Sequence, residues 1–341
     1  MADFQILVET QIKRMEKKIT KLPIGGAIII PPHRTDLIAG SVSELPWEDL
    51  DIKWGNFLPE GELQKVNGLD LYDCVSNSSV DGVGVQIDGL LSKGLISQYN
   101  LNWLIDNNYF ENGRINLSER HIAKLSGTSP QWGNTWQNVA DAIRHYGVVP
   151  ETLWSIKGIS TVEDFYKPVP QSVIDLGLEF LKRFDITYEI ISTYPLDRTK
   201  IEKHLKQAPL QIIGSVCSGW NTESPVKSCP YGGVAHCTML YEIGSYKILD
   251  SYPNYIKELV DDYPITFVGK IVLKDKKMVT KENMNAVLYT LGGKTDNWTD
   301  AIALANALNS GDQLMVDKIL APYKVSKSAL IQKIINWLKL L

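Results

Sequence analysis

The order in which helix-like and strand-like segments follow one another most limits the folds open to this chain. Up to residue 207 the clear periodicities are helical. Four short β-rich runs then succeed one another: PLQIIGSVC, VAHCTMLYEIG, SYKILDSY and ITFVGKIVLK. Runs rich in Val, Ile, Thr and aromatics and bounded by Gly and Pro are expected to pair as an antiparallel sheet or small barrel. Helices gathered first and strands gathered after them imply an α+β domain of two lobes.

The helical half reads in some detail. Phe4, Ile6, Leu7, Ile12, Met15 and Ile19 recur at helical spacing over 4–21, and the Gly and Pro of LPIGGAIIIPP end that segment. From Ile24 to about Pro59 the chain is rich in Pro, Gly and isolated aromatics and reads as an extended arm. A helix is expected from Cys74 to Leu91, although Gly82 and Gly84 lower its propensity. Another opens at Ser118, and a stronger one spans Asn134–Tyr146, carrying Trp136, Val139, Ala140 and Ile143 on one side and stopping at Gly147. Residues 171–184 and 198–207 also read as helices. Beyond Lys276 helical patterning returns, in ENMNAVLYTLGG, WTDAIALANALNSG, DQLMVDKILAPY and SKSALIQKIINWLKLL. The expected organisation is an N-terminal helix and arm over 1–56, a main domain over 57–275 and a small helical domain over 276–341.

Composition removes several classes of function. With 44% hydrophobic and 22% charged residues the 341-residue chain matches ordinary globular proteins, and it is long enough to bury a sizeable core. A net charge of −4 and no basic stripe argue against nucleic acid as a partner. No apolar run approaches the roughly 20 residues of a membrane span. Charges interrupt every apolar stretch of MADFQILVETQIKRMEKKITKL, which therefore lacks a secretion signal's apolar core. A cytoplasmic or virion location follows as the expectation. Four cysteines are too few for a disulfide scaffold. Cys217 and Cys229 could bridge, but free thiols are expected. His236 and Cys237 are adjacent and no C-x-x-C pair exists, so neither metal nor other cofactor is indicated. On the last helical segment Leu330, Ile331, Ile334, Ile335, Leu338 and Leu341 share a face. That stripe fits packing within its own unit or docking of a protein partner, and the N-terminal arm offers a second surface for one.

Three residues carry chemistry in their order. Cys74 lies in DLYDCVSNSSV, His236 in GVAHCTML, and Asp250 follows His236 by 14 residues in YKILDSYPNY. A thiol attacks well only as thiolate, an imidazole beside it draws off the proton, and a third group fixes which imidazole nitrogen faces the sulfur. Cys74 at the start of a helix meets free backbone N–H groups and the positive dipole end, which favour the thiolate. Taken singly the same residues fit a small buried thiol, a core histidine and the start of a turn.

From about residue 57 to 270 the chain resembles the papain-like cysteine peptidases. That family places its nucleophilic Cys at the start of a long central helix. INLSERHIAKL and PQWGNTWQNVADAIRHYGVVPETLW follow here in the family's order, then the strand APLQIIGSV, the histidine of GGVAHCTMLYEIG, and Asp250-Ser251-Tyr252 where the family has Asn-Ser-Trp. The combination is also similar to divergent members encoded by phages and uncultured microbes, which implies a virion setting. The resemblance makes Cys74 the nucleophile, His236 the general base and then acid, and Asp250 the orienting group. Tyr252 takes the place of the shielding Trp. The oxyanion would be held by the Cys74 N–H and a side-chain amide, with Gln64 favoured over Asn67 for its longer reach although neither has the family spacing.

The implied activity is hydrolysis of a peptide or protein substrate through a thioester acyl-enzyme. The alternative is an altered papain-like domain kept as a structural or binding component of a virion or other large assembly. Three departures bear on the choice. Leu71-Tyr72-Asp73 replaces the family's Gly-Ser before the nucleophile, and Asp73 would raise the thiol pKa if it pointed at the sulfur. Val75-Ser76-Asn77-Ser78 replaces an aromatic-rich segment. The roughly 57 residues ahead of the main domain are fewer than the family's inhibitory propeptides have, which points to a structural arm.

Overall fold

Cys74 opens a helix that runs through the middle of the larger part of the molecule. The computed structural model describes residues 27–28, 50–61, 64–66, 68–193, 197–216, 219–227, 234–276, 284, 288, 298–310 and 313–323. The chain divides into two units, 1–275 and 276–341. The first unit begins with β1 (Ala27–Ile28), a turn of 3-10 helix at Trp54–Phe57, the hairpin β2 (Lys65–Val66) and β3 (Leu69–Asp70), and α1 (Cys74–Ser92). Then come α2 (Gln98–Asp106), β4 (Phe110–Glu111), β5 (Arg114–Ile115), α3 (Glu119–Leu125), β6 (Asn134–Thr135), α4 (Trp136–Tyr146), α5 (Val162–Phe165) and α6 (Gln171–Arg183). The second half holds β7 (Phe184–Thr193), α7 (Arg198–Leu205), β8 (Leu210–Val216), β9 (Val234–Glu242), β10 (Tyr246–Leu249), β11 (Ile256–Leu259) and β12 (Ile265–Asp275).

Six of these strands form one antiparallel sheet in the order β11-β10-β9-β8-β12-β7. The architecture is α+β, with a helical lobe and an antiparallel β lobe, as the sequence order implies. The sequence pattern leaves out two of the six, the short β11 and the longer β7. The alternation of Ile186, Tyr188 and Ile190 with Asp185, Thr187 and Glu189 in β7 has period two, and β7 pairs with β12 along nine positions.

Helix starts are set by side-chain caps. Ser118 accepts from the His121 N–H at 3.2 Å and Thr135 from the Asn138 N–H at 3.2 Å. Each such cap contributes about 1 kcal/mol. Helix α1 is different: Asp73 at its N-cap makes no side-chain capping bond, and sixteen of its nineteen residues are buried. Close packing explains two of its glycines, Gly82 and Gly89. A Cβ on Gly89 would lie 2.7 Å from the Trp54 ring, and one on Gly82 would lie 2.5 Å from the Gln211 amide. Close approach of neighbours outweighs the roughly 1 kcal/mol of helix propensity that each Gly forgoes.

The sheet is covered on both faces. Toward the helical lobe Cys237, Phe267, Ile271 and Leu273 join Trp136, Ile143 and Phe180 around α1. On the other face Leu210, Ile212, Met239, Ile248 and Val268 pack against Ile201, Leu205 and Trp54. Gln86 of α1 ties itself to the sheet through the amide, giving Nε2–H to the Ile271 carbonyl at 2.8 Å and accepting the Leu273 N–H at 3.1 Å. It completes the ladder of β12 beyond Lys270, the last β12 residue paired with β8.

In the second unit α8 (Trp298–Ser310) and α9 (Gln313–Leu320) bury Ala301, Leu304, Ala305, Val316 and Leu320 with Met284 and Leu288. The expected helix over 4–21, most of the arm, the last helical segment, Asn67, Cys217 and Cys229 lie outside the described residues. Among the described residues no helix is long and apolar enough to cross a membrane.

Candidate active site

The β lobe delivers two of the expected residues to one another. His236 is the third residue of β9, opposite Gly214 of β8. Asp250 directly follows β10, and its N–H closes a tight turn onto the Tyr255 carbonyl at 2.7 Å. Because β9 and β10 pair antiparallel, with Leu249 opposite Met239, fourteen residues of sequence separation collapse to contact. His236 Nε2 donates to Asp250 Oδ1 at 2.6 Å. That fixes the tautomer and leaves Nδ1 for a partner on the other side. The Cys74 sulfur, from the first turn of α1, is near enough for it and the imidazole to shift each other's titration.

Asp250 is held more firmly than its sequence context suggests. Its second oxygen accepts from Trp220 Nε1 at 2.6 Å and from Lys257 Nζ at 2.7 Å. The Trp220 ring also stands edge-on to His236, with centroids 5.7 Å apart, and Tyr252 packs against the imidazole from another direction at 5.2 Å. Trp220 and Lys257 are missing from the sequence reading, because they lie in loop and strand segments with no motif and meet Asp250 only through the fold.

Gln64 is buried and every polar atom of it is used. Its backbone N–H reaches the Ser251 carbonyl at 3.0 Å, and its Oε1 accepts from Ser251 Oγ at 3.0 Å. Nε2 gives one hydrogen to Asp70 Oδ1 at 2.8 Å and the other to the Tyr252 hydroxyl at 3.1 Å. Tyr252 in turn donates to Asp70 Oδ2 at 2.6 Å. Gln64 thus joins the segment before Cys74 to the segment after Asp250. To hold an oxyanion it must exchange one of these bonds.

The run into Cys74 is constrained. Tyr72 adopts φ +56°, a left-handed conformation that side chains larger than Asn rarely take. Its N–H donates to Asp70 Oδ1 at 3.0 Å, and the Leu71 carbonyl accepts from the Tyr166 hydroxyl at 2.5 Å. Tyr72 stands where the family resemblance has Gly, and the surrounding bonds hold the strained backbone in place.

Electrostatics differ from the expectation at one point. Cys74, His236 and Asp250 are 0%, 2% and 3% exposed. Burial pushes the Cys74 thiol above its ordinary range, against the downward pull of His236. Desolvation at the helix start therefore outweighs the downward pull of His236. Burial lowers His236, but Asp250 and the Cys74 sulfur together overcome it and hold the imidazolium up to about 10. Asp250 is pushed up by burial yet stays below its usual range because His236 and Lys257 face it. The neighbouring thiol, Cys237, has no imidazole partner; burial pushes it up to about 12 while Ser78 Oγ contacts it at 3.1 Å.

Through the buried Ala27, the described piece of the N-terminal arm belongs to the same apolar cluster as Cys74. Ala27 and Ile28 pair in parallel with Asn134 and Thr135 of β6 and also touch β9, the His236 strand. Two cavities of about 720 and 480 Å³ lie elsewhere, sharing Pro59, Gly61 and Tyr255. Neither is lined by Cys74, His236 or Asp250.

No protein-family model matches the chain, and no curated protein does. Solved structures are similar at low identity. The cysteine protease Amb a 11, a ragweed pollen allergen, in its proform is 12% identical with a TM-score of 0.44 over 69% of this chain and 68% of that one. Digestive procathepsin L 3 of Tenebrio molitor larval midgut is 14% identical with a TM-score of 0.43 over 67% and 71%. ProCathepsin B S9 from Trypanosoma congolense is 13% identical with a TM-score of 0.44 over 74% and 87%.

Proposed function

We propose that the chain is a cysteine peptidase using Cys74, His236 and Asp250. The observation that carries this reading is the His236 imidazole, bonded to Asp250 at 2.6 Å and near enough to the Cys74 sulfur for the two to shift each other's titration. The thiol proton passes to His236, and the sulfur adds to a peptide carbonyl carbon. The resulting oxyanion is stabilised by the Cys74 N–H at the start of α1. His236 then returns its proton to the departing amine as the C–N bond breaks, leaving a thioester. Water, deprotonated by His236, attacks that thioester and expels the sulfur, which regains the proton. Asp250 keeps the imidazole in the tautomer that allows both transfers. For substrate to arrive, the strand Ala27–Ile28 must leave β6. In this reading the arm is a cover over the site rather than a purely structural extension.

The test is hydrolysis of a peptide panel by the wild type and Cys74→Ala. Loss of turnover in the variant is expected, and full retention would overturn the assignment. A second reading is favoured by one observation, the complete burial of Cys74 with its thiol pushed up. It makes the domain a structural or binding component of a virion or other assembly, with the chemistry unused. Iodoacetamide separates the two. A working pair makes Cys74 react far faster than the other thiols below pH 7, whereas uniformly slow labelling supports the structural role.

A further inference from the structure

Asp250 faces two cations from opposite sides, and only one of them belongs to the reaction described above. Lys257 projects from β11 with its side chain 2% exposed, and its Nζ lies 2.7 Å from Asp250 Oδ2. The same ammonium donates to the carbonyls of Tyr252 at 3.2 Å, Pro253 at 3.0 Å and Asn254 at 2.9 Å. Its location is therefore fixed by the turn that follows Asp250. Trp220 closes the remaining side, with the ammonium 5.7 Å from its ring centre.

A carboxylate in a buried site attracts a neighbouring imidazolium far more strongly than a neutral amide does. Left alone, Asp250 would hold the proton on His236 and oppose its delivery to a leaving amine. We propose that Lys257 is a positioning residue that makes the Asp250–Lys257 pair a nearly neutral acceptor, so that His236 can both take and release the proton. This rests on the peptidase reading of the site. The other titratable groups facing the pair are Cys74 from α1, Cys237 beside His236, Tyr252 with its partner Asp70, and Tyr263 ahead of β12. None of these is a cation, so none can substitute for Lys257.

The experiment follows the imidazole of His236 by NMR titration, and Cys74 alkylation by iodoacetamide against pH, in five proteins. Lys257→Met should move the His236 titration and the alkaline limb of alkylation up by about one to two pH units. Asp250→Asn should move both down by a similar amount. The double variant Asp250→Asn with Lys257→Met removes both charges and should return them to within about half a unit of the wild type. Lys257→Arg keeps the charge with altered bonds and should leave them in place even where stability falls. A Lys257 that only braces the turn would lower rates equally at all pH, with unshifted limbs and no recovery in the double variant, and that result overturns the proposal. Should Lys257→Met fail to fold, Asp250→Asn and the double variant carry the test, and no difference between them is equally fatal. The imidazole titration is read without peptide turnover, so a protein that cleaves nothing would sink the peptidase reading and still report on Lys257.

Discussion

The two halves of the candidate site are built differently. On the β lobe, His236 and Asp250 sit in a saturated network with Trp220 and Lys257 at 2.6–2.7 Å. On the helical lobe, Cys74 is placed by a strained backbone at Tyr72 and by apolar burial. The His236 half is bound into a charged network, while the Cys74 half is desolvated. Preorganisation and accessibility are thus separate properties here. The first resides in strand pairing and the second in what lies over α1.

The contrast breaks most readily at Asp250. Asp250→Ala leaves Lys257 buried without its carboxylate and should cost about 3–5 kcal/mol, read as a large drop in urea midpoint. A loss near that of an exposed ion pair would show that the base half is not the rigid one. pH offers the next lever. His236 rises from 6.5 to about 10 on folding, so its contribution is complete below about 6.5 and lost as pH climbs toward 10. The raised thiol of Cys74 acts in the same direction above 9.0. Lowered Asp250 contributes above 3.8 and is lost below it. The site should favour folding most between about pH 4 and 6.5, and His236→Gln should flatten the alkaline decline in urea midpoint.

The nucleophile half has its own tests. Ala27→Asp puts a charge into the cluster around Cys74, which costs more than the strand β1 gains from its two paired residues. The strand should leave, and iodoacetamide should reach Cys74 on the order of tenfold faster; an unchanged rate would mean that β1 is not the cover. Tyr72→Asn should have the smallest effect. Asn tolerates the left-handed backbone, so relief of about 1 kcal/mol offsets the lost ring packing, and the alkylation rate should change by less than about twofold.

What the sequence shows and what it hides divides along the range of the interactions. Helix α4 was legible because Thr135 caps it, Trp136, Val139, Ala140 and Ile143 share a face and Gly147 stops it, all within thirteen residues. Cys74 at a helix start and His236 within a strand were legible for the same reason. Lys257 and Trp220 were not, since each touches Asp250 only after the sheet has formed and the loop before β9 has folded back. The bonds of Gln64 to Ser251 and Tyr252 were hidden because these partners lie 187 and 188 residues away. The expectation of a favoured thiolate rests on a helix dipole, which is local, whereas the burial that raises the thiol depends on everything that packs around α1. Strand β7 shows the reverse case. Its period-two pattern was present, but half of its positions are polar and the run follows directly from a helix.

The clasp of Gln64 with Ser251, and of Asp70 with Tyr252, joins the lobes through groups that take no part in bond making or breaking. The distance between sulfur and imidazole is therefore set independently of the reactive groups themselves. A lineage that lost the thiol would keep these contacts between the two segments. If the chain is a peptidase, its chemistry and its scaffold can drift apart in evolution, one being erased by a single substitution while the other persists.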